Sequence, residues 1–151
     1  MIVFAVVLVV VAAVGAGIGV LMVRHAGVKV SGTVKVDKTS IGSFSCDVND
    51  CASGAAFVPG FFGADLRAPG GYAVRVVDSG DKARLWFFSQ GGKQGSVAVS
   101  KEHCAKWDVF VDWAHTKVNR VSTVSGHVRV DCAAMGGGTL KADVNFERCG
   151  R

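Results

Sequence analysis

From Val28 onward the chain alternates apolar and polar residues with the period of a half-buried β-strand. In the first such stretch, residues 28–37, Val28, Val30, Val34 and Val36 share one face. Lys29, Ser31, Thr33 and Lys35 share the other, and Gly32 marks a bend or bulge. The pattern predicts further strands at residues 41–46, 72–77, 84–89 and 96–100, with 78–81 as the turn of a hairpin. Residues 85–88, Leu-Trp-Phe-Phe, are apolar on both faces, which predicts a central strand. Trp107, Val109, Val111 and Trp113 then fall on one face, opposite Asp108, Phe110 and Asp112. Residues 118–124 and 126–132 read as a hairpin around Ser125-Gly126, and residues 135–138 as another turn. The last strand has the clearest pattern, with Leu140, Ala142, Val144 and Phe146 inward and Lys141, Asp143, Asn145 and Glu147 outward. Residues 47–54 read as a polar turn. No helical period of useful length interrupts the series, so about eight to ten short strands predict an antiparallel β-sandwich or barrel.

Residues 2–23 break this alternation. They are Ile, Val, Phe, Ala, Leu, Gly and Met without one charged or strongly polar side chain, and Arg24 and His25 follow at once. A helix of that length is roughly 33 Å long, enough to cross a bilayer core of about 30 Å. The expected organisation is a single transmembrane α-helix at residues 1–25 and a β domain at 26–151. A cleaved signal peptide wants a basic segment before a shorter apolar core; here no Lys or Arg precedes the run, although Val14-Gly15-Ala16 is a tolerable cleavage site. No cysteine lies near its end, so a lipid-modified N-terminus has no acceptor. The glycines Gly15, Gly17 and Gly19 imitate a dinucleotide-binding turn. Val20 occupies the third-glycine position, however, and strand alternation resumes by Val28, leaving no room for the crossover helix. Ala12 with Ala16 and Gly15 with Gly19 instead form a small-residue face on which a second transmembrane helix, or a second copy of this one, could pack.

The charge of +5, from 17 Lys and Arg against 12 Asp and Glu, lies entirely from Arg24 onward. The basic residues are scattered among acids with no run of like charge, which argues against nucleic acid as a partner. Ordinary solvation of a β surface accounts for such charges first; beside a membrane, the alternative is a weak attraction to anionic headgroups of the lipid bilayer.

All five cysteines, Cys46, Cys51, Cys104, Cys132 and Cys149, also fall in the β domain. That number in a small domain points to a disulfide-permissive compartment. No C-x-x-C pair is present, so zinc is disfavoured, and no cofactor is expected. An odd count leaves one thiol over. If the last hairpin turns near Gly136 and Gly137, Cys132 sits beside the turn and Cys149 far from it. Their α-carbons then exceed the roughly 7 Å a bridge allows. Unless the strand bends sharply, Cys149 is expected to reach a cysteine from another part of the chain, such as Cys46, Cys51 or Cys104, stapling the last strand to the body of the domain. Arg24, His25 and Lys29 beside the apolar run favour a cytoplasmic domain by the positive-inside tendency. The cysteines favour the extracytoplasmic side, and they are given the greater weight.

Catalysis finds no motif in its mechanical context. Cys104 with His103, His115 or His127 is the nearest approach to a nucleophile and base, but none sits in a recognisable elbow, and Cys104 is better read as half of a disulfide. His127 alternates onto a polar face and is expected to meet solvent. Asp108 and Asp112 are about 13 Å apart along an extended strand, beyond the roughly 5–9.5 Å of paired glycosidase carboxylates. Two loops are candidate contact sites: residues 57–66, with Phe57, Phe61 and Phe62 around Pro59 and Gly60, whose rings are more readily read as closing one end of the sandwich, and residues 90–95, Gln-Gly-Gly-Lys-Gln-Gly. The expected function is therefore non-catalytic: binding or structural association by a membrane-anchored domain at the cell envelope. The alternative is an accessory subunit of a larger membrane complex, held through its transmembrane helix.

Overall fold

The computed structural model describes residues 27–79 and 82–150. The expected anchor, with its packing face at Ala12, Gly15, Ala16 and Gly19, lies outside the described residues. Among the described residues no helix is long and apolar enough to cross a membrane.

Ten strands make up the fold: β1 Lys29–Thr39, β2 Gly42–Asp47, β3 Asp50–Ser53, β4 Gly63–Arg67, β5 Ala73–Val77, β6 Arg84–Phe88, β7 Ser96–Ser100, β8 Cys104–Val118, β9 Val121–Ala133 and β10 Thr139–Cys149. They form two five-stranded sheets, β2-β1-β10-β9-β8 and β3-β4-β5-β6-β7, antiparallel throughout. Followed around the molecule, neighbours run in sequence order and close where β1 pairs with β10. The ladder is broken between β2 and β3 and between β7 and β8, so the outcome is a sandwich rather than a closed barrel.

Alternation builds the core as expected. Val34, Val36, Leu140, Val144, Phe146, Val128 and Val130 from the first sheet meet Leu66, Val74, Val76, Leu85, Phe87 and Val99 from the second. Strand β6 lies between β5 and β7, with Leu85 and Phe87 inward and Trp86 and Phe88 half-buried on the outer face.

The strands of the second sheet run across those of the first. One edge of the second sheet, Gly63-Val77-Arg84-Ser100, follows β8. Next to Gly63, the Phe62 ring lies 4.8 Å from that of Trp113, while Ser100 leads through the 3-10 turn Lys101–His103 into Cys104. The opposite edge follows β2, where Tyr72 stacks on Phe44 at 4.4 Å. Val48 and Asn49 make the crossing there, their N–H groups donating to Gly32 in β1 and Arg67 in β4.

Three expectations are corrected. Residues 47–54, read as a polar turn, contain β3, and the loop at 57–66 ends in β4. The hairpin expected around Ser125-Gly126 turns instead at Asn119-Arg120, whose φ values of 51° and 69° are those of a two-residue type I′ turn. Gly126 sits inside the continuous strand β9 opposite Phe146. A side chain there would press into the Phe110 carbonyl and the Phe146 ring, so this glycine serves close packing and not a turn.

Two disulfides are present, Cys51–Cys149 and Cys104–Cys132. The first joins β3 to β10 across the sandwich, with α-carbons 5.3 Å apart, and so staples the last strand to the other sheet. Cys132 faces Leu140 and Cys149 faces Val124, so those two cysteines lie far apart on their hairpin. Cys46 carries the remaining thiol.

Candidate functional site

Strand β8, of 15 residues, runs along an edge of the second sheet made of strand ends, Arg84 and Ser100 among them. At this edge Trp107 and Val109 stay only half-buried. Above them lies a cleft of about 620 Å³, within the size range of small-molecule sites. Ala83, Trp107 and Val109 give it an apolar floor. Lys82 and Arg84 reach it from the β5–β6 hairpin, and Ser100, Lys101 and Glu102 from the link between β7 and β8. Asp78 completes the rim. None of Lys82, Arg84 and Lys101 forms an ion pair among the described residues. Three cations, Lys82, Arg84 and Lys101, thus face two carboxylates, Asp78 and Glu102, around a cleft with an indole in its floor.

The polar groups at one wall are ordered by their own turn. Ser100 donates its hydroxyl proton to Glu102 Oε1 at 2.6 Å, and its oxygen lies 3.2 Å from His103 Nδ1. That hydrogen bond holds the Glu102 carboxyl below the usual carboxylate range, helped by His103 and Arg84 nearby. A hydroxyl has one proton; once it is given to Glu102, the imidazole contact is made with the ring N–H as donor. His103 is then not placed to act as a base on Ser100. Cys104 is bonded to Cys132 and has no thiol to offer. Among the described residues no cluster of His, Cys, Asp or Glu could hold a metal ion.

The aromatic loop occupies a different surface. Asp65 and Arg75 are directly opposed on the outer face of the second sheet, and Arg67 is two residues from Asp65 on the same face. Asp65 is only 5% exposed and accepts from Arg67 Nε at 2.8 Å and Arg75 Nε at 3.1 Å. The guanidinium of Arg75 in turn lies 4.9 Å from the ring centre of Phe57, 5.0 Å from Phe61 and 5.4 Å from Phe88. Two of the three expected contact rings, Phe57 and Phe61, are therefore held against the protein itself. Phe62 remains 45% exposed. The loop at 90–95 forms a 3-10 turn, Gln90–Gly92, and borders a separate groove of about 240 Å³ shared with Gly42, Phe44 and Tyr72.

The outer face of the first sheet is a lattice of charges. His127 Nε2 meets Asp108 Oδ1 at 2.8 Å, Arg129 reaches Asp108 at 3.3 Å and Asp143 at 3.7 Å, and Lys141 meets Asp131 at 2.7 Å. His127, expected simply to face solvent, is therefore partnered. The cleft residues Lys82, Arg84, Lys101 and Trp107 carried no signal in the sequence, because only the meeting of the β5–β6 hairpin, the β7–β8 link and β8 brings them together.

Comparison with protein-family models, with curated proteins and with solved structures finds no match to this chain.

Proposed function

We propose that the chain is a single-pass, membrane-anchored β-sandwich that acts by binding at the cell envelope, with its domain on the extracytoplasmic side. The cleft over Trp107 carries the binding part of this reading. It is a large concavity, it has an apolar floor, and its lining is net positive, with Lys82, Arg84 and Lys101 against Asp78 and Glu102. Such a site suits an anionic ligand with a flat, weakly polar ring face to set against the indole. Two disulfides in one small domain support the extracytoplasmic placement, and the apolar run at residues 2–23 supports the anchor.

The test is a fluorescence titration of the full chain in detergent with an acidic oligosaccharide, inorganic pyrophosphate and a neutral glucan. An anionic probe should give a saturable change that disappears in Trp107→Phe. The pair Arg84→Glu and Lys101→Glu should weaken it at least tenfold, about 1.4 kcal/mol. No saturable response to any anion, or one indifferent to the charge reversals, rejects the cleft as the binding site.

A further inference from the structure

Five residues, 24–28, separate the apolar run from β1. Fully extended they span at most about 18 Å, so an anchor at 2–23 holds the Lys29 end of the sandwich close to the bilayer. Strand register identifies what else lies at that end. Lys29 faces Glu147 on β10, and two residues on, Cys149 faces Val124 on β9, itself opposite Trp113 on β8. Past this row the β8–β9 hairpin continues alone through Lys117↔Ser122 and Val118↔Val121 to its tip at Asn119-Arg120.

The overhanging hairpin carries two charges, Lys117 and Arg120, both exposed and both positive. In the row behind it are Lys29 and Arg148, with Glu147 and Asp112 as the acids; Glu147 is engaged by Lys29 at 3.5 Å. Two of the few large exposed apolar side chains are here as well. Val28 is 44% exposed, and Phe62, stacked on Trp113, is 45% exposed. Basic side chains that overhang the body of the domain, with an aromatic ring beside them, match the chemistry of a headgroup layer.

We infer that this end of the sandwich docks on an anionic phospholipid surface, with the Lys117/Arg120 hairpin as its foremost contact. The inference rests on the anchored reading proposed above. Each basic side chain brought to such a surface favours docking about fivefold, and the tether supplies the proximity. Docking fixes the attitude of the domain. Trp107, in the floor of the cleft, is six residues along β8 from Trp113, about 20 Å of strand, so the floor is set back from the bilayer while the rim at Asp78 lies beside Phe62.

The test is hydrogen–deuterium exchange on the full chain in nanodiscs of phosphatidylcholine, with and without phosphatidylglycerol. Docking slows the amides of residues 114–124 about fivefold or more when phosphatidylglycerol is present. Residues 134–139, at the far end of β9, should be unchanged, and Lys117→Glu with Arg120→Glu should abolish the difference. Equal exchange in both lipids overturns the docking while leaving the anchor in place. Slowing that persists in pure phosphatidylcholine or survives the charge reversals indicates a second copy of the chain at this surface, and overturns it too. A chain that does not enter the discs defeats the anchored reading and the docking with it.

Discussion

Asp108 illustrates how much a single register position decides. Its carboxylate stands on the solvent face of β8 opposite Arg129, and the diagonal neighbour His127 reaches it at 2.8 Å. The hydrogen bond from His127 is the main reason the Asp108 carboxyl titrates below its ordinary range, with Arg129 adding to it. A depressed folded-state pKa gives a sign: the interaction stabilises the fold above the ordinary aspartate pKa of about 3.9 and is lost as pH falls through the lower folded value. Because the pair is open to water, its effect belongs in a site-specific titration and not in global stability. In a carboxyl-detected NMR titration of the full chain, the Asp108 midpoint should lie below the ordinary value, and His127→Ala should move it upward. A midpoint that ignores the substitution would assign the effect to Arg129. Alternation in the sequence placed His127 on a polar face, but the identity of its partner depends on how β8 and β9 align.

At the level of strands and loops, the Asp65–Arg75 pair explains why the residues after Phe57 do not hang free. Arg75 has Asp65 on one side of its guanidinium and the rings of Phe57 and Phe61 against it. Replacing it by Ala removes one of the two partners of a nearly buried carboxylate and the platform for both rings. Arg67 remains to compensate Asp65, so the expected loss is about 2 kcal/mol, below that of breaking a wholly buried pair. Chemical unfolding should show it, and limited proteolysis should now cut at residues 57–62; unchanged resistance there would mean that the rings are held by something else. The same pair shows why β3 and β4 were illegible. Inward Cys51, Ala64 and Leu66 alternate with Ala52 and Asp65, which are buried from the other side by the aromatic loop. A strand buried on both faces that nevertheless carries an aspartate has the composition of a turn. Strands β1 and β10 were legible because one face is core and the other water. Gly126 misled for a related reason: a glycine that makes room for Phe146 is indistinguishable in sequence from a glycine that bends the chain.

Across the whole molecule, the two sheets are connected by chain at residues 48–49 and 101–103, and each crossing has a disulfide near it. Cys51–Cys149 is the only one of the two that spans the sheets, and it closes a sequence separation of 98 residues; Cys104–Cys132 closes 28 within paired strands. Chain-entropy reasoning gives about 4.7 kcal/mol for the long loop and about 3.6 kcal/mol for the short one. The double substitution Cys51→Ser with Cys149→Ser should therefore destabilise the full chain more than Cys104→Ser with Cys132→Ser, as read from urea midpoints in micelles. The reverse order would show that tying β8 to β9 beside the cleft matters more than holding the sheets together. The compartment follows from the same bonds. Cys46 is half-buried on β2, and burial, with Asp47 beside it, pushes its thiol pKa up. It should react slowly with maleimide in the native chain and faster as pH rises, because the thiolate is the reactive form. After denaturation of protein from intact cells, one mass tag should attach without reductant, and all five cysteines should take tags with it. Five tags without reductant, appearing only after lysis, would place the domain in the cytoplasm. The positive charges beside the apolar run would then have outweighed the cysteines.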